Sequence, residues 1–212
     1  MNLKILCTLL NEFGIKVFCK GNVLEGEHDQ YYDYSLVEKQ GNKWVYGVFM
    51  QERESNPHFN ISKKFDNESD VTKEFFIKEL GTDTRIKLLS PRGRVDIGMD
   101  IYKEDFTEDK FRNAMDIRRV PQYRFSTIQK DVSERTVMLL KENIDKYRIY
   151  FIGKDNKIVG KFGILLNAKE ALFWVYKLVF TLDFFEKEVV PVLKREGVYE
   201  EFTEEDVYAF VS

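Results

Sequence analysis

The sequence predicts an α+β protein, with an antiparallel sheet or sheets drawn from two similar helix-strand-hairpin-helix halves and packed against helices around one central buried helix. Three observations carry that expectation. The stretch Asn167 to Phe185 is apolar on nearly every face, so it must be covered on more than one side or lie in a membrane. Short runs of alternating apolar residues are separated by turn signals such as Gly21-Asn22 and Gly41-Asn42, the pattern of half-buried strands joined by hairpins. The same order of elements is read twice along the chain.

The apolar run Ala171 to Leu182 carries Lys177 in its middle and falls short of the roughly 20 apolar residues that cross a bilayer; it reads as a core helix, with Asn167 as its cap. The 212 residues include 18 Phe, 11 Tyr and 2 Trp in a hydrophobic share of 43%, enough to form a sizeable core and too much for a disordered chain. Two apolar-flanked cysteines, Cys7 and Cys19, are too few for a disulfide framework; read as buried free thiols they fit a reducing cytoplasm. The opening M-N-L-K-I-L-C-T-L-L-N-E ends its apolar run at Leu10 and lacks a small-residue cleavage site, unlike a signal peptide.

In chain order, Leu3, Leu6, Leu9, Leu10 and Phe13 recur at helical spacing, and Gly14 closes the helix. Ile15 to Cys19 reads as a strand and Gly26 to Asp33 as a polar loop. Tyr34 to Glu38 and Lys43 to Met50 flank a hairpin turn, and Phe59 to Phe65 adds a strand. A helix capped by Asn67 or Ser69 follows, with Val71, Phe75, Phe76 and Leu80 as its stripe and Gly81 as its stop. Beyond it come short strands at Arg85 to Leu89 and Val95 to Ile101, a helix from Thr107 to Arg118, and a strand at Tyr123 to Ile128. Ser133 to Asn143 reads as a helix, because Leu139-Leu140-Lys141-Glu142 parallels Leu9-Leu10-Asn11-Glu12. Arg148 to Ile152 and Lys157 to Leu166 are strands leading into the apolar helix. Phe184 to Glu196 continues it through Pro191, and Thr203 caps a last short helix. The expected organisation is 1–82, a connecting segment 83–130, and 131–212, or a single continuous domain.

The charge balance is -3 overall, which excludes a strongly basic polyanion binder. Locally, Thr84 to Lys130 carries 11 basic against 7 acidic residues, and Asp183 to Ser212 carries 3 against 9. In the first of these segments Arg92, Arg94, Arg118, Arg119 and Arg124 lie among tyrosines, an arrangement able to grip a nucleic-acid backbone. In the second, Glu196, Glu200, Glu201, Glu204, Glu205 and Asp206 form an acidic tract suited to a basic partner.

Catalytic constellations are sparse. His28 and His58 lie in loops without zinc spacing or a nearby nucleophile. Asp96 and Asp100 share one strand face, as magnesium-holding carboxylates do in nucleases, but no further carboxylate and lysine join them. No phosphate-cradling glycine motif occurs. No cofactor and no catalytic residue is expected.

The hairpin K-W-V-Y-G-V-F-M-Q-E-R-E, with Trp44, Glu52 and Arg53, is followed by Phe65, Glu68, Asp70, Phe76 and Leu80. Over about Val37 to Leu80 it resembles the small bacterial and prophage immunity proteins that neutralise polymorphic toxins. That resemblance implies a non-enzymatic inhibitor of a toxin domain such as a nuclease, bound through shape and charge. Trp44, Glu52 and Arg53, together with Glu200, Glu201, Glu204, Glu205 and Asp206 and the loop residues Glu25, Glu27 and Asp29, are then the candidate partner-binding residues. Nucleic-acid binding through the arginines is the alternative function.

Overall fold

A computed structural model of the chain describes residues 1–27, 32–51, 56–90, 106–128 and 134–212. The fold is α+β, with a five-stranded antiparallel sheet and a four-stranded sheet, each packed against helices. The residues cluster into two compact units, Met1–Leu80 and Gly81–Ser212.

The first unit opens with α1 (Leu3–Glu12), capped by the Asn2 side chain, which accepts from the Ile5 N–H. Its buried stripe is Leu3, Leu6, Leu9 and Leu10, the spacing read from the sequence. The sheet is a meander of β1 (Val17–Lys20), β2 (Val23–Gly26), β3 (Tyr34–Gln40), β4 (Lys43–Met50) and β5 (His58–Phe65), each strand paired with the next. β2 lies between the expected turn at Gly21-Asn22 and the expected loop that begins at Gly26; it pairs Leu24 with both Cys19 and Val37 and places Leu24 in the core.

α2 (Glu68–Leu89) begins where expected, with the Asn67 Oδ1 accepting from the Asp70 N–H at 2.9 Å. Its Phe75 ring meets Tyr46 of β4 edge-on at 5.9 Å. Glu68 also accepts the N–H of Leu3 at 2.7 Å, so the first turn of α2 satisfies one of the donors that α1 leaves unpaired.

Cys7 and Cys19 are disulfide-bonded, joining α1 to β1, and Cys19 is exposed. This corrects the reading of two buried free thiols and removes the argument for a reducing cytoplasm, since such a bond persists in oxidising compartments. It closes a loop with a sequence separation of 12, for which chain entropy gives about 3 kcal/mol. No thiol should react with a thiol reagent until the protein is denatured and reduced, and reduction should lower the melting temperature of the first unit. Two titratable thiols in the native oxidised protein would contradict the pairing.

The helix expected to stop at Gly81 runs on to Leu89, and the strand expected at Arg85 to Leu89 is its last turns. Gly81 is there for closeness: a Cβ would sit 2.7 Å from the Phe210 carbonyl oxygen. Beyond it, Asp83 and Lys87 form an (i, i+4) pair at 2.6 Å, acid first, the orientation that supports a helix.

The second unit continues with α3 (Glu108–Ile117), capped by Thr107, then a 3-10 turn at Gln122–Arg124 and β6 (Phe125–Ser126). β7 (Thr136–Asn143), β8 (Lys146–Ile152) and β9 (Ile158–Lys161) complete a sheet in the order β6-β7-β8-β9, with β6 parallel to β7 and the remaining pairs antiparallel. The helix expected at Ser133 to Asn143 is therefore a strand where it is described. Thr136, Val137, Met138 and Leu139 are buried in succession, as in a strand covered on both faces; a short apolar run of this kind has no period that separates helix from strand. With a strand in that place, this unit's sheet is not entered through a counterpart of α1.

α4 (Ala168–Phe184) starts at a full capping box of Asn167 and Glu170 and is the core of this unit. Ala171, Val175, Tyr176, Val179 and Leu182 are fully buried. The helix packs on β7 and β8, on α3, and on α6 (Glu204–Val211). Pro191 lacks the N–H that an α-helical bond would need, and the chain passes through a π-helical turn at Phe185–Val189 before α5 (Val190–Arg195), a local widening that accommodates such breaks. No helix among the described residues is long and apolar enough to cross a membrane.

Gly160 of β9 lets α6 dock. A Cβ there would lie 2.3 Å from the Tyr208 ring, whose hydroxyl donates to the Lys161 carbonyl at 3.2 Å and whose face meets Phe151 at 5.7 Å. Gly160→Ala should displace the ring and cost about 1–3 kcal/mol, read as a lower denaturation midpoint; Tyr208→Ala in the same background should make the added methyl nearly silent.

Candidate functional site

The expected partner-binding residues are distributed over both units. Trp44 belongs to the core of the first, 6% exposed, opposite Phe65 and Lys39 on the neighbouring strands, with the Lys39 ammonium over its ring at 5.9 Å. It holds the hairpin and is not a surface anchor. Glu52, Arg53 and Asp29 lie outside the described residues. Glu27 is exposed and pairs with Lys16 at 2.7 Å.

The acidic tract separates into two groups. Glu204 and Asp206 have work inside the second unit. Asp206 accepts the Thr203 N–H at 2.8 Å and Thr203 Oγ1 accepts the Asp206 N–H at 3.2 Å, a reciprocal cap at the positive end of α6. Glu204 takes a two-point grip from Arg135, whose Nε and Nη2 donate at 2.8 and 2.7 Å. Glu200, Glu201 and Glu205 are exposed.

Arg135 is the centre of a network that the sequence does not advertise. It is 3% exposed, donates also to Glu186 at 2.5 Å, and lies over the Phe185 ring at 5.9 Å. Burial would push its pKa down, but hydrogen bonds to Glu204 and Glu186 and their charges outweigh burial and hold it above the ordinary arginine value. Arg124 closes the network by donating to the Arg135 carbonyl at 3.2 Å and approaching Glu186 at 3.9 Å. The single signal for this in sequence is a charge at the edge of the apolar run Arg135-Thr136-Val137-Met138-Leu139-Leu140.

Of the arginines expected to form a nucleic-acid face, Arg118, Arg119 and Arg124 lie among the described residues. Arg124 is internal. Arg118 lies against the Phe180 ring at 5.6 Å, and Arg119, exposed, takes a positive φ of 55° at the end of α3, where its carbonyl accepts from Lys187 at 2.8 Å. Arg92 and Arg94, like the strand carrying Asp96 and Asp100 and like His28, lie outside the described residues. Among the described residues no group of three or more His, Cys, Asp or Glu is placed to hold a metal, and His58 is exposed at the start of β5.

In the first unit Glu79 of α2 is drawn toward the sheet, where Ser35 Oγ donates to it at 2.5 Å. Burial raises its pKa, and the Ser35 hydrogen bond only partly offsets this; Tyr46 nearby is raised by its own burial and by the Glu79 charge. The hydrogen bond ties α2 to β3.

No family model matches the chain, and neither a curated protein nor a solved structure matches it.

Proposed function

We propose that the protein is a non-enzymatic inhibitor, an immunity protein that binds a cognate toxin domain and occludes it. The observation that carries this reading is the path of the first unit: the β3–β4 hairpin bearing Trp44 passes through β5 into a helix whose first turn holds Glu68 and Asp70. That is the order of features in the immunity-protein resemblance. The exposed Glu200, Glu201 and Glu205 supply a negative surface for a toxin with a basic, nucleic-acid-binding cleft, where such charges raise the association rate and specificity more than affinity. The disulfide between Cys7 and Cys19 means that the encounter is not tied to the cytoplasm.

The neighbouring gene should encode a toxin domain, and the test is co-expression with it. Cells should survive, and the two proteins should co-purify. The triple variant Glu200→Lys, Glu201→Lys and Glu205→Lys should remain folded and associate about tenfold more slowly at low salt, the difference shrinking as salt screens the charges. A toxin that stays lethal in the presence of soluble protein would sink the proposal.

A further inference from the structure

Exposed aliphatic side chains gather at one end of the second unit's sheet. Tyr147 of β8 and Leu166 exchange backbone hydrogen bonds at 2.8 and 3.0 Å, and deeper in the sheet the Phe162 N–H donates to the Ile149 carbonyl at 3.0 Å. Between these two anchors β8 supplies Arg148 alone, whereas the other side supplies Gly163, Ile164 and Leu165. The longer side must bulge outward, and Ile164 and Leu165 are 62% and 39% exposed. The β7–β8 turn, closed by Asn143 opposite Lys146, immediately precedes Tyr147, so it projects from the same end; its Ile144 is 83% exposed. Phe162 at the base of the bulge meets the half-buried Trp174 ring at 5.1 Å.

Single exposed aliphatic residues need no explanation, but three on adjoining turns beside a tryptophan make a patch. Its surroundings are basic in a chain whose net charge is -3. The segments 141–148 and 161–177 carry Lys141, Lys146, Arg148, Lys161, Lys169 and Lys177 against Glu142, Asp145 and Glu170. Two of these acids are occupied: Glu142 accepts from Arg148 and Tyr150, and Glu170 caps α4. Two of the ammoniums lie over rings at this end, Lys141 at 6.0 Å from the Tyr147 centroid and Lys177 at 4.2 Å from that of Trp174. A protein partner would need a pocket for each projecting side chain. A bilayer admits such side chains without a matching shape, seats tryptophan at its headgroup level, and attracts lysines when its lipids are anionic.

We infer that this end of the second unit docks on an anionic phospholipid surface, with Ile144, Ile164 and Leu165 entering the headgroup layer and the lysines facing the lipid charges. The inference is independent of the inhibitor reading.

The test is co-sedimentation of the full chain with vesicles of equal parts phosphatidylcholine and phosphatidylserine, against vesicles of phosphatidylcholine alone. The protein should bind the anionic vesicles and release as salt is raised. Ile144→Ser combined with Ile164→Ser should lower partitioning about tenfold or more. Ile158→Ser, 55% exposed at the opposite end of β8 where Ile158 pairs with Ile152, should bind as the parent does. The unsubstituted protein supplies a second readout: Trp44 is buried, so a blue shift on vesicle addition, and quenching by brominated lipid, report Trp174. The inference is overturned if neither vesicle binds, if phosphatidylcholine alone binds as well, if Ile158→Ser loses as much as the double variant, or if the emission does not move. Self-association at high protein concentration without vesicle binding would assign the patch to a second copy of the chain and overturn it equally.

Discussion

Val179→Asp should unfold the second unit. Val179 is fully buried at the middle of α4, the helix that meets β7, β8, α3 and α6 at once. A carboxylate there loses its hydration, at a cost of more than about 4 kcal/mol. The expected result is loss of cooperative unfolding for this unit, with exposed apolar surface. Trp174→Asp on the same helix should cost much less, because Trp174 is only partly buried and rests against Phe162, Phe173 and the ammonium of Lys177. Equal melting temperatures for Val179→Asp and the parent would remove α4 from the core.

The contrast between these positions marks how far the sequence could be read. That α4 is central followed from its all-round apolar surface, and its start followed from Asn167 and Glu170, because a capping box is a local device written within four residues. The same holds for α1, for the hairpin of β3 and β4, and for Thr203 ahead of α6. Which face of α4 is deepest depends on what surrounds it, and Trp174, the largest side chain, lies at the rim. The apolar run of β7 fits the period of a helix as well as that of a strand. At Gly81 a glycine required for close approach to the Phe210 carbonyl looks, in sequence, like a glycine required for a left-handed turn. The acidic tract was legible as a cluster, but the division of labour within it was not. Glu204 is 69 residues from Arg135, and Glu186 is 51 from it, and nothing local links them.

That network gives the second large effect. Arg135→Met should destabilise the second unit by about 3–5 kcal/mol, the usual result of removing one partner from a buried ion cluster. Glu186 and Glu204, with side-chain exposures of 12% and 26%, would be left facing one another with only the more distant Arg124 to offset them. If the loss comes from stranded charge, then Glu186→Gln and Glu204→Gln added to Arg135→Met should recover a good part of it, although each alone destabilises the parent. Arg135→Lys keeps the charge but cannot reproduce the two-point grip on Glu204, so it should fall between. If the triple variant proves no more stable than Arg135→Met, then packing of the guanidinium over Phe185 is what matters. In either outcome α6 is the element to watch. Its first turn is held through Glu204 and its sheet contact through Tyr208, so hydrogen exchange in α6 should rise ahead of that in α4 when Arg135 is changed.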